Sequence, residues 1–145
     1  MNREAARYKQ QLDDVFKQVS TFSGDPELQS HWARYLCVLV SGFLETSLKA
    51  IYGEYARTRA APNIANYVTK ALAEFQNPKM QKIIELAGAF NSTWREELET
   101  RTEGEIKESV DSIVNNRHLI SHGRSVGISY TTVKNYYRGV VQVVE

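Results

Sequence analysis

The sequence contains a single cysteine, Cys37, and one cysteine cannot form a disulfide within a chain. Cys37 lies in the apolar run from Tyr35 to Val40, which predicts a buried, reduced thiol without a catalytic role. Cysteine and histidine together are too few for a structural zinc site. The sequence also lacks a basic-then-apolar N-terminal signal and any apolar run near the ~18 residues that a membrane span needs. These absences predict a soluble, cytoplasmic protein with no membrane partner.

Net charge is also small, because 18 Lys and Arg face 17 Asp and Glu, leaving +1. Such a balance produces no field strong enough to indicate nucleic-acid binding by itself, so a claim of that kind must rest on a local site. The chain has 145 residues, of which 42% are hydrophobic and 24% charged. Length and composition predict one domain, residues 1–145, with a substantial core.

Apolar residues recur at helical spacing along nearly the whole chain. The segment Ser23-Gly24-Asp25-Pro26 ends a first helix, and its Asp25 and Pro26 suit the cap and first turn of the second. That second helix reaches about Arg57 and is apolar on nearly all sides, which predicts a central element. Further helices are predicted over 64–75, 80–90, 94–101 and 131–144, and one more begins at the segment Thr102 to Glu105 and ends near Gly123. Without a confident strand pair, the pattern predicts an all-α helical bundle.

Short signals predict how several of these elements begin and end. Asn77-Pro78 fits a cap followed by proline, and Thr102-Glu103-Gly104-Glu105 fits a capping box that begins the helix bearing residues 111–123. Gly123 is predicted to end that helix in the left-handed conformation. The segment from Ser125 to Tyr130 has a short, β-like character.

Chemically versatile side chains concentrate in residues 111–123, on one predicted helix. Residues three and four apart share a helix face, which gives two adjacent stripes. One stripe is mainly apolar and the other polar: Ile106, Val110, Ile113, Arg117 and Ile120, and then Asp111, Asn115, His118 and His122. Arg117 and His122 diverge by about 140° on an ideal helix. They converge if the helix ends near Gly123, or if a second copy of the chain completes the site.

Three interpretations of this stretch remain open from the residues alone. In the first, Arg117 forms a buried pair with Glu45 of the long helix, and the histidines are merely hydrogen-bonded. In the second, His118 and His122 ligate a metal ion, with a third ligand from Asp111, Glu45 or His31. In the third, Arg117 clamps an RNA phosphate and His122 moves a proton to or from a 2′-OH or leaving oxygen.

Arg117-His118-Leu119-Ile120-Ser121-His122, near the end of a helix in a small all-α chain, resembles the motif of the HEPN superfamily (higher eukaryotes and prokaryotes nucleotide-binding). The shared pattern is an arginine, a polar residue, three further residues and a histidine. The flanking Asp111-Ser112-Ile113-Val114-Asn115-Asn116, the pair His122-Gly123 and the segment Val40-Ser41-Gly42-Phe43-Leu44-Glu45 resemble the RiboL-PSP-type branch. The resemblance covers most of the chain.

The resemblance implies a helical bundle that dimerises with its motif helices facing across a two-fold axis. Many such proteins are metal-independent endoribonucleases, often toxins or defence effectors, which implies RNA as substrate, no cofactor and a possible antitoxin partner. Arg117 and His122 would then be catalytic and His118 auxiliary, with Glu45 as a further supporting residue. Asp111 and Asn115, from the polar stripe, complete the candidate auxiliary set. The expected products are a 2′,3′-cyclic phosphate and a 5′-OH.

The alternative is a non-catalytic HEPN module that binds a nucleotide or a protein partner. The family contains such members, and fold alone does not settle activity. The near-neutral charge and the lack of an obvious basic groove in the sequence favour this alternative slightly.

Overall fold

The computed structural model describes residues 1–22, 24–124 and 126–145. Ser23 and Ser125, which belong to the predicted helix break and the predicted β-like tail, lie outside the described residues. Over the described ranges the chain forms seven α-helices and no strand, which confirms the all-α prediction. The helices are α1 (Arg3–Ser20), α2 (Pro26–Arg59), α3 (Pro62–Leu72), α4 (Met80–Phe90), α5 (Ser92–Thr102), α6 (Glu105–Ser121) and α7 (Tyr130–Val144).

Helix α2 is the central element of the core, as its apolar middle predicts. Its fully buried side chains include Leu36, Cys37, Val40, Phe43 and Leu44. They pack against α1, α6 and α7, which surround this part of α2. By length and composition alone α2 also contains an 18-residue window suited to a membrane span, but half of that window is buried inside the protein. The contacts with the neighbouring helices account for its apolar character.

The four core helices alternate in direction. The hydroxyl of Tyr8 in α1 donates to the Leu39 carbonyl of α2 at 3.4 Å, whereas Phe22, just after α1, packs on Trp32 with ring centroids 6.0 Å apart. Helix α1 is therefore antiparallel to α2. Two hydrogen bonds show that α7 is antiparallel to α1, and they run from Tyr130 to the Phe16 carbonyl (3.1 Å) and from Tyr137 to Asp13 (2.6 Å).

Helix α6 completes the core and carries the candidate site. It packs tightly on α7, because a Cβ added at Gly139 would lie 2.6 Å from the Cβ of Ser109. The short connection between α6 and α7 makes these two neighbours antiparallel. Since α7 runs parallel to α2, α6 runs antiparallel to α2.

Helices α3, α4 and α5 cover the C-terminal half of α2. Aromatic pairs anchor α4 and α5: Tyr52 stacks on Phe90 with ring centroids 4.8 Å apart, and Tyr55 meets Trp94 edge-on at 5.1 Å. These half-buried rings contribute to docking helices as short as 11 residues. The loop between α3 and α4 is thereby brought beside α6.

The structure confirms one predicted helix start and contradicts another. Asp25 caps α2 as predicted, because its Oδ1 accepts from the N–H of Leu28 at 3.1 Å and Pro26 occupies the first turn. The prediction of a capping box at Thr102 is wrong. Thr102 is the last residue of α5, and its hydroxyl donates to the Leu98 carbonyl at 2.7 Å. Gly104, with φ +90°, makes the turn into α6 without any side-chain cap.

Cys37 has the environment that its apolar neighbours predict. The residue is fully buried, and its thiol donates to the Ile113 carbonyl of α6 at 3.6 Å. Burial raises the pKa of the thiol to about 12, because a thiolate would lose its hydration there. The side chain is therefore a neutral core group.

Candidate functional site

Helix α6 ends at Ser121, directly before the candidate catalytic histidine. Gly123 has φ +72°, its N–H donates to the Ile120 carbonyl at 3.0 Å, and the N–H of Arg124 donates to the Leu119 carbonyl at 3.0 Å. These two bonds form a Schellman motif, so the predicted left-handed glycine cap is confirmed. His122 is the last residue before the turn, at φ −91° and ψ 14°.

His118 and His122 form an exposed pair of imidazoles. Their ring centroids lie 4.4 Å apart with an interplanar angle of 57°. The N–H of His122 donates to the His118 carbonyl at 3.2 Å, so the backbone keeps the two residues one helical turn apart. Both residues are exposed to solvent.

Arg117 contacts a different part of the molecule. Its Nη1 donates to Oδ1 of Asn77 in the α3–α4 loop (residues 73–79) at 3.5 Å. The side chain is half-buried, and over the described residues no carboxylate lies within ion-pair distance of it. A guanidinium carries five N–H donors, so most of its donors remain available for an anion.

Asn77 was not predicted as a site residue. The pair Asn77-Pro78 indicates a helix cap in the sequence, and that interpretation is wrong. Helix α4 begins only at Met80, and Asn77 has φ +51°, in the left-handed region that asparagine tolerates better than most residues. The signal that could have identified it is this residue type directly before proline, where a helix is disfavoured.

Asp111 supplies the cap that α4 lacks locally. Its Oδ1 accepts from the N–H of Met80 at 2.8 Å, and the neighbouring Lys79 makes no side-chain cap bond. A carboxylate at a helix N-terminus satisfies a free donor and complements the helix dipole. Helix α6 therefore holds the start of α4 through Asp111 and the preceding loop through Arg117.

The remaining auxiliary candidates lie in different places. Asn115 is exposed on α6, about one helical turn before His118 on the same face. Glu45 is half-buried and accepts from Lys49 Nζ at 3.1 Å, one turn further along α2. The expected contact between Glu45 and Arg117 is not formed within this chain.

The helix directions explain why Glu45 does not reach Arg117. Cys37 meets Ile113 where α2 and α6 pack, and from there the two residues lie in opposite directions along antiparallel helices. Eight residues of α2 and four of α6 separate them along the axis by about 18 Å.

For a metal ion, the described part of the chain offers two neighbouring ligands, His118 and His122, and no third. His118 and His122 are close enough to share an ion, but Asp111 caps α4 and Glu45 pairs with Lys49. No group of three His, Cys, Asp or Glu side chains within the described ranges is placed to hold a metal ion.

The end of α6 thus combines a cationic group suited to an anion with imidazoles suited to proton exchange. Arg117 offers guanidinium donors without a carboxylate partner among the described residues, and each imidazole carries ring nitrogens that can donate or accept a hydrogen bond. The guanidinium and the His122 imidazole have different neighbours, because Arg117 contacts Asn77 whereas His122 contacts His118.

A family model described as RiboL-PSP-HEPN matches residues 3–145. Neither the curated proteins nor the solved structures give a significant match to the chain.

Proposed function

The chain belongs to the RiboL-PSP HEPN family, and from this membership we propose that it is a metal-independent endoribonuclease that acts as a homodimer in the cytoplasm. The observation that carries the proposal is the end of α6, where Arg117 has no carboxylate partner among the described residues and the exposed imidazoles of His118 and His122 lie 4.4 Å apart. A phosphodiester presents the two features that such a pair recognises, a negative charge and an oxygen that must exchange a proton.

In the proposed reaction the 2′-OH of one nucleotide attacks the adjacent phosphorus. The O2′–P bond forms and the P–O5′ bond breaks, which leaves a 2′,3′-cyclic phosphate and a 5′-OH. Arg117 donates to the non-bridging oxygens, where negative charge accumulates in the transition state. His122 accepts the proton of the 2′-OH or delivers a proton to the leaving O5′, and His118 positions its ring.

In the proposed dimer, a second copy of the chain brings the phosphate-binding guanidinium and the proton-transferring imidazole together. Within one chain Arg117 and His122 contact different neighbours. In the proposed dimer, a two-fold axis between facing α6 helices would bring Arg117 of one protomer near His122 of the partner subunit. We therefore assign each catalytic pair to two chains. The site contains two such pairs, and a strand bound in the cleft uses one of them.

An enzyme that cuts RNA inside a cell requires control, which fits a role as a toxin or defence effector with an antitoxin or other regulatory protein as partner. The alternative is a HEPN module that binds a nucleotide or a protein without cutting RNA. The two functions differ in one measurable respect, since only the enzyme generates new RNA termini.

The deciding assay is cleavage of a labelled single-stranded RNA in excess EDTA. The wild type, Arg117→Ala and His122→Ala are compared at equal concentrations, and the product termini are identified. The proposal predicts cleavage by the wild type to cyclic phosphate ends, with a loss of at least about 100-fold in either variant. Absence of cleavage by the wild type, or equal cleavage by all three proteins, would support the non-catalytic module. Cleavage that EDTA abolishes would favour a metal ion at the histidines.

The oligomeric state gives an independent check. Light scattering is expected to return about twice the 16.5 kDa chain mass at micromolar concentration. A monomer under those conditions would contradict a site built from two chains.

A further inference from the structure

A cavity between α1 and α7 combines an aromatic floor with a basic rim. Its volume is about 470 Å³, within the range of sites that bind organic ligands. The floor contains Phe16 and Tyr137, stacked with ring centroids 4.7 Å apart, and Tyr130, whose centroid lies 6.0 Å from Phe16. We call this cavity the α1–α7 pocket. None of the candidate residues on α6 lines it.

The rim of the α1–α7 pocket concentrates positive charge in a chain whose net charge is only +1. Four basic side chains and one carboxylate line it: Lys9, Lys17, Lys134, Arg138 and Asp13. Asp13 is already engaged twice, since it accepts from Lys9 Nζ at 2.8 Å and from the Tyr137 hydroxyl at 2.6 Å. The carboxylate therefore offers little compensation to the other three cations.

Lys17, Lys134 and Arg138 have no carboxylate within ion-pair distance in the described part of the chain. Lys134 and Arg138 are four residues apart on α7, where like charges destabilise a helix. Lys134 Nζ lies 5.9 Å from the Tyr130 ring centroid. Burial raises the pKa of Tyr130, and the charge of Arg138 partly offsets this shift, which places the guanidinium near the same ring.

The location of the pocket relates it to the α6 site. Tyr130, at the start of α7, follows His122 by eight residues, a span of at most about 29 Å even when fully extended. Because α6 and α7 are antiparallel neighbours, the end of α6 and the start of α7 lie at the same end of the molecule. A nucleic-acid strand of several nucleotides is long enough to contact both.

We propose that the α1–α7 pocket is a second RNA-binding site, which holds the strand at nucleotides outside the cleavage position. Lys17, Lys134 and Arg138 neutralise phosphates, and Tyr130 provides an aromatic surface for a base. The ligand is a phosphate-bearing nucleotide unit of a single strand. This role rests on the proposed ribonuclease function, to which it adds a site for holding substrate.

The test measures RNA binding in a protein that does not cut. Each variant carries His122→Ala, and fluorescence anisotropy gives the affinity for a labelled single-stranded RNA at several salt concentrations. Lys17→Gln, Lys134→Gln and Arg138→Gln are combined in the pocket variant. Its matched control removes three exposed cations elsewhere, through Lys70→Gln, Arg101→Gln and Lys107→Gln.

The pocket variant is expected to bind RNA at least tenfold more weakly at low salt, and the control less than about twofold. The slope of log affinity against log salt should fall by about 2, because each phosphate contact to a single strand contributes about 0.7. Equal weakening in both variants, or no weakening in the pocket variant, would overturn the site. Circular dichroism and the melting temperature verify that both variants are folded.

Two further experiments test the aromatic contact made by Tyr130 and whether the bound phosphate belongs to an RNA strand or to a free nucleotide. Tyr130→Phe keeps the ring and should bind within about twofold of its parent, whereas Tyr130→Leu should lose about tenfold. Equal binding by these two variants would overturn the aromatic contact. A mononucleotide that competes as effectively as the oligonucleotide would assign the pocket to a free nucleotide and overturn strand binding. Wild-type cleavage is scored separately, so failure of the pocket and failure of the enzyme proposal are distinguishable.

Discussion

Arg117 donates a hydrogen bond from Nη1 to Oδ1 of Asn77 across forty residues of sequence, at 3.5 Å. The acceptor sits in the left-handed region, where a non-glycine residue is strained by roughly 1 kcal/mol or more. The orientation of the motif arginine thus depends on a strained loop residue. In the proposed function Asn77 is a positioning residue, because it acts through Arg117.

Asn77→Gly is expected to lower RNA cleavage by about tenfold while leaving the melting temperature within a few degrees of the wild type. Glycine accepts the positive φ without strain but provides no acceptor for Arg117. Comparing kcat and KM with thermal melting separates positioning from folding. Full activity in Asn77→Gly would show that the bond to Arg117 has no catalytic consequence, and Asn77→Ala, which adds strain, should also melt earlier.

His118→Ala is expected to reduce cleavage by about tenfold, compared with at least about 100-fold for His122→Ala. In the proposed function the difference arises because His118 positions the His122 ring, whose centroid lies 4.4 Å away, whereas His122 moves the proton. Single-turnover rates across pH 5 to 9 provide the measurement. Equal losses in the two variants would mean that His118 itself transfers a proton.

Asp111→Ala is expected to lower the free energy of unfolding by about 1 kcal/mol, because α4 loses the acceptor for the Met80 N–H. Asp111→Asn should cost less, since an amide oxygen also accepts that bond. Urea unfolding measures both variants. If Asp111→Ala abolishes cleavage in fully folded protein, Asp111 has a role in the reaction besides capping α4.

Cys37 is expected to resist thiol reagents in the folded protein at pH 8. Burial raises its pKa to about 12, so the reactive thiolate is scarce and shielded. A raised pKa in the folded state favours the protonated form, so the contribution of Cys37 to stability declines as pH rises above the ordinary pKa of a thiol. Mass spectrometry after alkylation, with and without urea, checks this. Rapid labelling of folded protein would contradict the buried environment.

Local patterns predicted the architecture well. The helical series, the Asp25 cap and the left-handed Gly123 depend on neighbours within a few residues, and the structure confirms all three. The buried thiol of Cys37 follows from the apolar run around it. The predicted two stripes on α6 also correspond to the different neighbours of Arg117 and His122.

Local sequence patterns did not predict the contacts between residues that are distant in the sequence. Thr102 fits a capping box, but its hydroxyl bonds to the Leu98 carbonyl of its own helix. The α4 cap comes from Asp111, thirty-one residues away. Glu45 forms an ion pair with Lys49. It does not reach Arg117, because α2 and α6 are antiparallel and the two residues lie in opposite directions from the point where these helices pack. Helix direction is set by the whole core, and no short motif encodes it.

The central claim is that Arg117 of one protomer acts with His122 of the partner subunit. Its most direct test mixes Arg117→Ala and His122→Ala chains by unfolding and refolding together, with different tags to confirm that heterodimers form. A heterodimer keeps one complete pair across the two chains and none within a chain. The account predicts restored RNA cleavage in EDTA, to roughly a quarter of wild-type activity if half of the dimers are mixed and each retains one of two pairs. Confirmed heterodimers with no more activity than the separate variants would contradict it.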